Sequence, residues 1–168
     1  MRFGQEVQAL PRQRGLIHAA VLDRYFEDYT AGEVMRGDSL TITESMIIDF
    51  ALTYDPLPMH TDVEAAKRSP AGGLIAPGLM TVVLSGRLLT KTGVLGSHYV
   101  GGAIDEMRFH RAIRPDDTIY PRVEVMDGRV SNSKPDRGIV RVRWVVDNQR
   151  GEQVLSYIST LVVLRRPV

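Results

Sequence analysis

A chain of 168 residues with 43% hydrophobic and 24% charged residues has the composition of one globular domain with a sizeable core. Its formal net charge of +1 gives no overall field for nucleic acid or an anionic membrane, and the absence of cysteine excludes disulfides, thiolate nucleophiles and cysteine-ligated metals. No apolar run is long enough to span a bilayer and the first residues do not open a signal peptide, so we expect a soluble, cytoplasmic protein.

The N-terminal part of the chain divides into an unpatterned stretch and the start of a folded domain. Residues 1–24 have no clear hydrophobic period, which predicts an N-terminal arm or extension, and residues 25–168 are expected to form a single domain. The segment from Val34 to Ile42 has the composition of a strand, which Gly37-Asp38 interrupts. Thr43 is suited to cap a following helix whose apolar residues recur on one face. These apolar residues are Met46, Ile47, Phe50, Ala51 and Tyr54.

An acid and an imidazole lie five residues apart in the next segment, Asp55-Pro56-Leu57-Pro58-Met59-His60-Thr61-Asp62. The helix must end by Asp55, because a residue before proline is pushed out of the helical region. The Asp55 carboxylate then lies at a helix C-terminus, where the macrodipole opposes a negative charge, and this placement favours a functional role. Asp and His are also common general acids and bases. Taken alone, however, so short a motif favours a solvated turn in which Asp55 and His60 only bond nearby backbone.

Two further helices are predicted beyond this segment. A short helix runs from Thr61, its expected cap, to Lys67, with acidic residues in its first turn. A long helix runs from about 77 to 91 and is ended by Gly93. Its residues are apolar on nearly every side, which is typical of a helix buried all round. The long helix is therefore expected to form the centre of the domain.

The hydrophobic period changes to two after Gly93, which is the period of β-strands. Gly101-Gly102 indicates a β-bulge or the close approach of a ligand, and Asn148-Gln149-Arg150-Gly151 is suited to a hairpin turn. Strands that follow helices predict an α+β fold with an antiparallel sheet, here a meander wrapped around the helix at 77–91. The strands are expected near residues 97–111, 117–130, 138–148 and 152–165.

With these elements in this order, the chain resembles the MaoC-like dehydratases, or (R)-specific enoyl-CoA hydratases, of the hot-dog fold superfamily. The resemblance extends from about Tyr29 to Leu164, and its most specific part is the hydratase motif from Phe50 to Asp62, followed by Ala65-Ala66. Four blocks stand in the family's order, which reverses the balance for Asp55 and His60 in favour of catalysis. The other three blocks are Gly73-Leu74-Ile75-Ala76-Pro77-Gly78-Leu79-Met80, Arg114-Pro115-Asp116-Asp117-Thr118 and Asn148-Gln149-Arg150-Gly151-Glu152.

The resemblance implies a hydro-lyase of fatty acid metabolism that hydrates trans-2-enoyl-CoA to (R)-3-hydroxyacyl-CoA or runs the reverse dehydration. It implies that Asp55 and His60 hold the catalytic water, with Asp55 as the general base and His60 orienting the water and relaying the proton to the α-carbon. It also implies that the Gly78 N–H binds the thioester oxygen. An N–H donor at a helix N-terminus suits that task, because negative charge collects on this oxygen when water adds to C3. Neither a metal nor a cofactor is expected, since coenzyme A is part of the substrate.

Four residues near the motifs are expected to line the pocket or to contact the catalytic side chains without touching the substrate. They are Leu57, Pro58, Pro77 and Ser85. Many relatives have Asn or Gln at the position of Leu57. Well-studied relatives have a serine at the position of Gly86, next to Ser85. The loss of these polar groups is expected to weaken the support of the Asp55 carboxylate and to alter the acyl preference.

Two other functions stay open at this stage. One is a hot-dog acyl-CoA thioesterase, and the other is a non-catalytic acyl-CoA-binding subunit that keeps the fold with a weakened site. The resemblance also implies a homodimer or higher homo-oligomer with acyl-CoA bound near the subunit interface. No nucleic-acid or membrane partner is expected.

Overall fold

Six β-strands form one antiparallel sheet in the computed structural model, which describes residues 22–167. In chain order they are β1 (Val34–Arg36), β2 (Leu40–Thr41), β3 (Tyr99–Phe109), β4 (Thr118–Val130), β5 (Arg137–Asn148) and β6 (Gln153–Leu164). Their order across the sheet is β1-β4-β5-β6-β3, and β2 pairs with β4. The strand β3 is therefore one edge of the sheet.

The α-helices within residues 22–167 all lie between β2 and β3. They are α1 (Glu44–Tyr54), α2 (Pro58–Thr61), α3 (Val63–Lys67) and α4 (Gly78–Thr92). Met80, Leu88 and Leu89 of α4 share one apolar core with Val123 and Val142 of the sheet. This antiparallel sheet around a helix is the hot-dog arrangement and confirms the predicted α+β fold. Within the described residues, no helix is long and apolar enough to cross a membrane.

The bounds of the four long strands lie within two residues of those expected from the alternation of apolar and polar side chains. The predicted bulge at Gly101-Gly102 is confirmed by a shift in the pairing of β3 with β6 between Gly101 and Ala103. The predicted hairpin between β5 and β6 is confirmed as well, because the Gly151 N–H donates to the Asn148 carbonyl at 3.0 Å. The inner face of β5 is buried and consists of Val140, Val142, Trp144 and Val146.

The order of the strands differs from the predicted meander. β4, β5 and β6 follow one another across the sheet, but β3 pairs with β6 and not with β4. The chain therefore crosses from one end of the sheet towards the other between Phe109 and Thr118. An alternating pattern marks which side chains face the core, and it carries no information on which strand lies beside which.

Helix α4 is the predicted long helix, and Gly93 ends it in the left-handed conformation at φ 71°. Its inner side is buried, whereas Leu79 is 63% and Val83 is 58% exposed in the single chain. The expectation of burial on nearly every side is thus not met by one copy of the chain. An apolar strip on this helix faces outward.

The local capping chemistry confirms one prediction and corrects another. The Thr43 hydroxyl accepts the Met46 N–H at 3.2 Å and caps α1 as expected. The prediction of Thr61 as the cap of the next helix is wrong. Thr61 ends the short helix α2, and the Asp62 carboxylate caps α3 by accepting the Ala65 N–H at 2.8 Å. Pro58, at the first position of α2, starts that extra turn.

The predicted N-terminal arm, residues 1–24, lies outside the described residues except for its last three. Arg24 is buried and forms an ion pair with Glu33 at 2.6 Å, and its guanidinium also donates to the Val94 carbonyl. These contacts fasten the chain to β1 and to the end of α4. The division at residue 24, with one domain after it, stays a prediction.

Candidate active site

Asp55 and His60 lie on either side of a tight turn between α1 and α2. The Asp55 N–H closes the last turn of α1 on the Ala51 carbonyl at 2.9 Å, and its backbone then leaves the helical region at φ −157°. The next turn is built from local bonds, in which the Leu57 N–H donates to Asp55 and the His60 N–H donates to Leu57, both at 2.8 Å. Two prolines limit the remaining freedom. The loop is therefore rigid enough to hold two side chains in one geometry.

The imidazole of His60 is held in one orientation by a distant segment. His60 is 4% exposed, and its Nδ1 lies 2.7 Å from the Ile75 carbonyl oxygen. That segment is itself fixed, because the Ile75 N–H donates to Met59 at 3.3 Å and the Ala76 N–H donates to Ile113 at 2.8 Å. The other ring nitrogen, Nε2, lies 3.6 Å from Oδ2 of the half-buried Asp55 carboxylate.

These contacts determine which atoms of the pair accept hydrogen bonds. A carbonyl oxygen only accepts, so Nδ1 carries the proton and, in the neutral imidazole, Nε2 offers a lone pair. The ionised Asp55 carboxylate also only accepts. Two acceptors at 3.6 Å do not bond to one another. A water molecule matches the pair, because it has one O–H for each acceptor and keeps its own lone pairs free.

Gly78 lies at the first position of α4, where the backbone N–H groups have no partner inside the helix. The ring of Phe109 covers its Cα. A Cβ added to Gly78 would lie 2.7 Å from Cε1 and 2.8 Å from Cζ of that ring. Phe109 is the last residue of β3 and is 53% exposed. A ligand that reaches the Gly78 N–H therefore passes beside this ring.

A pocket of about 350 Å³ brings His60 and Gly78 together. Asp55 lies beside it, in contact range of His60. No three side chains of His, Asp or Glu within residues 22–167 come together in a way that could hold a metal ion. The lining residues are Met59, His60, Ile75, Ala76, Gly78, Thr81, Phe109, His110, Arg111, Ala112, Ile113 and Val154.

The other predicted site residues lie around the pocket and are not part of its lining. Leu57 and Pro58 are exposed and form the start of α2, and Pro77 is buried as the residue before α4. Ser85 is fully enclosed, and its hydroxyl donates to the Thr81 carbonyl at 2.6 Å. That hydroxyl proton is therefore committed within α4 and not to the Asp55 carboxylate.

The lining residues that belong to none of the sequence motifs include Thr81 and Phe109. Thr81 follows Gly78 by three positions on a helix, so the spacing alone places it on the same face. Phe109 is the last residue of β3 and lies 31 residues after Gly78 in the chain. Its position over the helix follows from the tertiary fold, and no local pattern indicates it.

A polar cleft of about 640 Å³ continues from the pocket and shares His110, Arg111 and Ala112 with it. Arg150 bonds to Glu152 at 2.8 Å and lies 3.3 Å from Asp117. Hydrogen bonds from the side chains of Asn148 and Arg150 lower the pKa of Glu152. The cleft is therefore lined by carboxylates paired with arginines, and its charges largely cancel.

Comparison with known proteins identifies the family. The family model described as "MaoC like domain" matches residues 26–154. A MaoC-like dehydratase from Rhodospirillum rubrum is 34% identical, with a TM-score of 0.80 over 86% of this chain and 99% of that one. A conserved protein from Mycobacterium tuberculosis with a double hotdog fold shares the fold, at 21% identity and a TM-score of 0.67 over 86% of this chain and 45% of that one. The 3-hydroxybutyryl-CoA dehydratase of Methylorubrum extorquens is 32% identical over 107 residues, which are 61% of this chain and 64% of that protein. The chain belongs to the family of MaoC-like domains.

Proposed function

We propose that the protein is a hydro-lyase that converts trans-2-enoyl-CoA to (R)-3-hydroxyacyl-CoA and catalyses the reverse reaction. The observation that carries this proposal is the pair of acceptors, Asp55 Oδ2 and His60 Nε2, which are 3.6 Å apart beside the pocket that contains Gly78. The pair is arranged to hold one water molecule. The pocket places an apolar wall and a backbone donor next to it.

In the proposed step, the water oxygen attacks C3 of the enoyl thioester. Asp55 accepts one proton of the water as the C3–O bond forms. The π electrons of the C2–C3 double bond move towards the thioester and create an enolate. The Nε2 of His60 then relays the proton from Asp55 to C2, the enolate collapses, and one water molecule has been added across the double bond. No further reactant is needed.

The enolate oxygen is stabilised by the N–H of Gly78 in this mechanism. The positive end of the α4 macrodipole and the preorganised N–H donor both stabilise the negative charge that develops on the enolate oxygen. Phe109 shields the donor from solvent on one side, and a lower local dielectric strengthens the hydrogen bond.

The similar proteins support this reaction class. The Rhodospirillum rubrum protein is described as a MaoC-like dehydratase, and the Methylorubrum extorquens protein is a 3-hydroxybutyryl-CoA dehydratase. Dehydration of a 3-hydroxyacyl thioester is the reverse of the step proposed for Asp55 and His60.

We also propose that the working form is a homodimer. The edge strand β3 has unpaired backbone groups on its outer side, and its apolar residues Val100 and Ile104 are exposed. Ile104 and Val83 line one apolar groove of about 480 Å³ between β3 and α4. A long edge strand with apolar side chains is a surface that proteins normally cover. A second copy pairing along β3 covers this surface, and the contact extends to Phe109 at the pocket.

A screen of enoyl-CoA and 3-hydroxyacyl-CoA thioesters tests the proposed reaction. Loss of the enoyl-thioester absorbance with crotonyl-CoA, or with longer and branched chains, is the expected result. Chiral analysis of the product should give the (R) alcohol. Release of free CoA without hydration would instead indicate a thioesterase, and tight binding without turnover would indicate a binding subunit.

A further inference from the structure

The hydroxyl of Thr81 has no hydrogen-bond partner among residues 22–167, although the residue is buried. Thr81 is 6% exposed and lines the pocket that contains His60 and Gly78. Within residues 22–167, Arg24 Nε is the only fully enclosed side-chain nitrogen or oxygen that lacks a hydrogen-bond partner. The Thr81 oxygen is therefore not among the enclosed atoms. It forms no hydrogen bond to these residues and reaches the open space of the pocket.

Two other hydroxyls on the same helix, those of Ser85 and Thr92, have an acceptor inside the helix. The Ser85 hydroxyl donates to the Thr81 carbonyl at 2.6 Å, and the Thr92 hydroxyl donates to the Leu89 carbonyl at 2.7 Å. The corresponding acceptor for Thr81 is the Pro77 carbonyl, which accepts the Met80 N–H at 3.0 Å and forms no bond with the Thr81 hydroxyl. The Thr81 hydroxyl is open to the pocket and has no acceptor among residues 22–167, so its proton is available to a ligand.

The geometry of an α-helix directs Thr81 towards Gly78. Residues three positions apart lie on the same face, and side chains lean towards the helix N-terminus. The surface that Thr81 covers is therefore the turn that contains Gly78. The hydroxyl of Thr81 and the N–H of Gly78 thus face one region of the pocket.

We propose that Thr81 is a second donor to the thioester oxygen, next to the N–H of Gly78. This inference rests on the proposed function, since it assigns the same oxygen to both donors. An enolate oxygen has lone pairs for two hydrogen bonds, and the backbone N–H supplies one of them. Thr81 touches the substrate in this arrangement and binds it more strongly as charge develops on the oxygen.

Two substitutions separate the hydroxyl from the shape of the side chain. Thr81→Val keeps the size and removes the hydroxyl, whereas Thr81→Ser keeps the hydroxyl. Thr81→Val should lower kcat by about tenfold to a hundredfold with a small change in KM, and Thr81→Ser should stay within about threefold of the parent. Thr92→Val is the matched control on the same helix, and its kcat should equal that of the parent.

A second readout does not require turnover. Butyryl-CoA labelled with ¹³C at the thioester carbonyl is bound to each variant, and isotope-edited infrared spectra give the carbonyl stretch. The band should lie below that of free butyryl-CoA in the parent and should move back towards it in Thr81→Val only. The melting temperature of Thr81→Val should equal or exceed that of the parent, because no protein hydrogen bond is lost, while that of Thr92→Val should fall.

The outcomes distinguish this inference from the proposed function. A parent-like carbonyl band in Thr81→Val, or a clear fall in its melting temperature, overturns the role of Thr81 and leaves the hydration mechanism standing. Bound butyryl-CoA with the Thr81-dependent band, but without turnover of any enoyl-CoA, overturns the hydration and keeps Thr81 as a carbonyl ligand. Failure to bind any acyl-CoA overturns both.

Discussion

Substitution of Gly78 by alanine tests whether the thioester reaches the start of α4. The backbone of Gly78 is not in the left-handed region, so alanine is allowed there on conformational grounds. Its methyl group, however, would lie 2.7 Å and 2.8 Å from two atoms of the Phe109 ring. Carbon atoms in ordinary contact are about 3.5–4.0 Å apart, so the ring must move by about 1 Å.

The expected cost in stability is small because the ring is half exposed and can move outward. Overpacking in a closed core costs about 1–3 kcal/mol, and we expect about 1 kcal/mol here. For a chain of this size that is a fall of about 2–4 °C in melting temperature. The effect on catalysis should be larger, since the methyl group narrows the approach to the N–H of Gly78. We expect kcat/KM for the enoyl-CoA to fall by about 10², similar to the loss of one oxyanion donor.

The double variant Gly78→Ala/Phe109→Leu separates the two effects. The smaller leucine side chain should restore the melting temperature, because it removes the clash with the ring. Activity should stay low if the methyl group itself blocks the approach of the thioester. Parent-like kcat/KM in Gly78→Ala, measured by the loss of enoyl absorbance, would refute the binding of the carbonyl at Gly78.

Three further predictions address the imidazole, the edge strand and the acid limit of stability. His60→Ala should abolish most activity. It should also lower the free energy of unfolding, measured by urea titration, by about 2 kcal/mol, because the Ile75 carbonyl loses its donor. Unchanged stability would contradict the buried hydrogen bond. Ile104→Lys should convert a dimer to a monomer in sedimentation, whereas Tyr120→Lys on β4 should not, and a monomeric parent would contradict the proposed assembly. Hydrogen bonds from Arg165 and the Arg166 N–H lower the pKa of Glu27 from 4.5 to about 2. This stabilisation is present above pH 4.5 and is lost as the pH falls towards 2. The free energy of unfolding should therefore decrease less steeply between pH 4.5 and 2 in Glu27→Gln than in the parent. An identical decrease in both proteins would refute the contribution of Glu27.

The elements of the fold could be predicted because their signals are local. The cap at Thr43, the stop at Gly93 and the period-two strands each depend on neighbouring residues. The position of β3 beside β6 could not be predicted in this way. The extra turn α2 could not be predicted either, because a proline such as Pro58 suits both a turn and the first position of a helix.

Part of the candidate site could be predicted from the sequence for the same reason, because its signals are local. The five-residue spacing of Asp55 and His60 and the helix start at Gly78 lie in the sequence itself. The Ile75 carbonyl that sets the tautomer of His60, and the Phe109 ring above Gly78, come from segments joined only by the fold. Ser85 was expected to support the site, but its hydroxyl is bonded inside α4. Thr81, one turn earlier, has the hydroxyl that reaches the pocket.

The measurement that tests the central claim most directly compares Asp55→Asn with Asp49→Asn. Asp49 is an exposed residue of the same helix α1 and carries the same charge, so it controls for the change in net charge. The asparagine at position 55 is similar in size but cannot take a proton from the water held with His60. We predict that Asp55→Asn lowers kcat for enoyl-CoA hydration by about 10²–10⁴ and that Asp49→Asn leaves it unchanged. Equal kcat in the parent and Asp55→Asn would contradict the account.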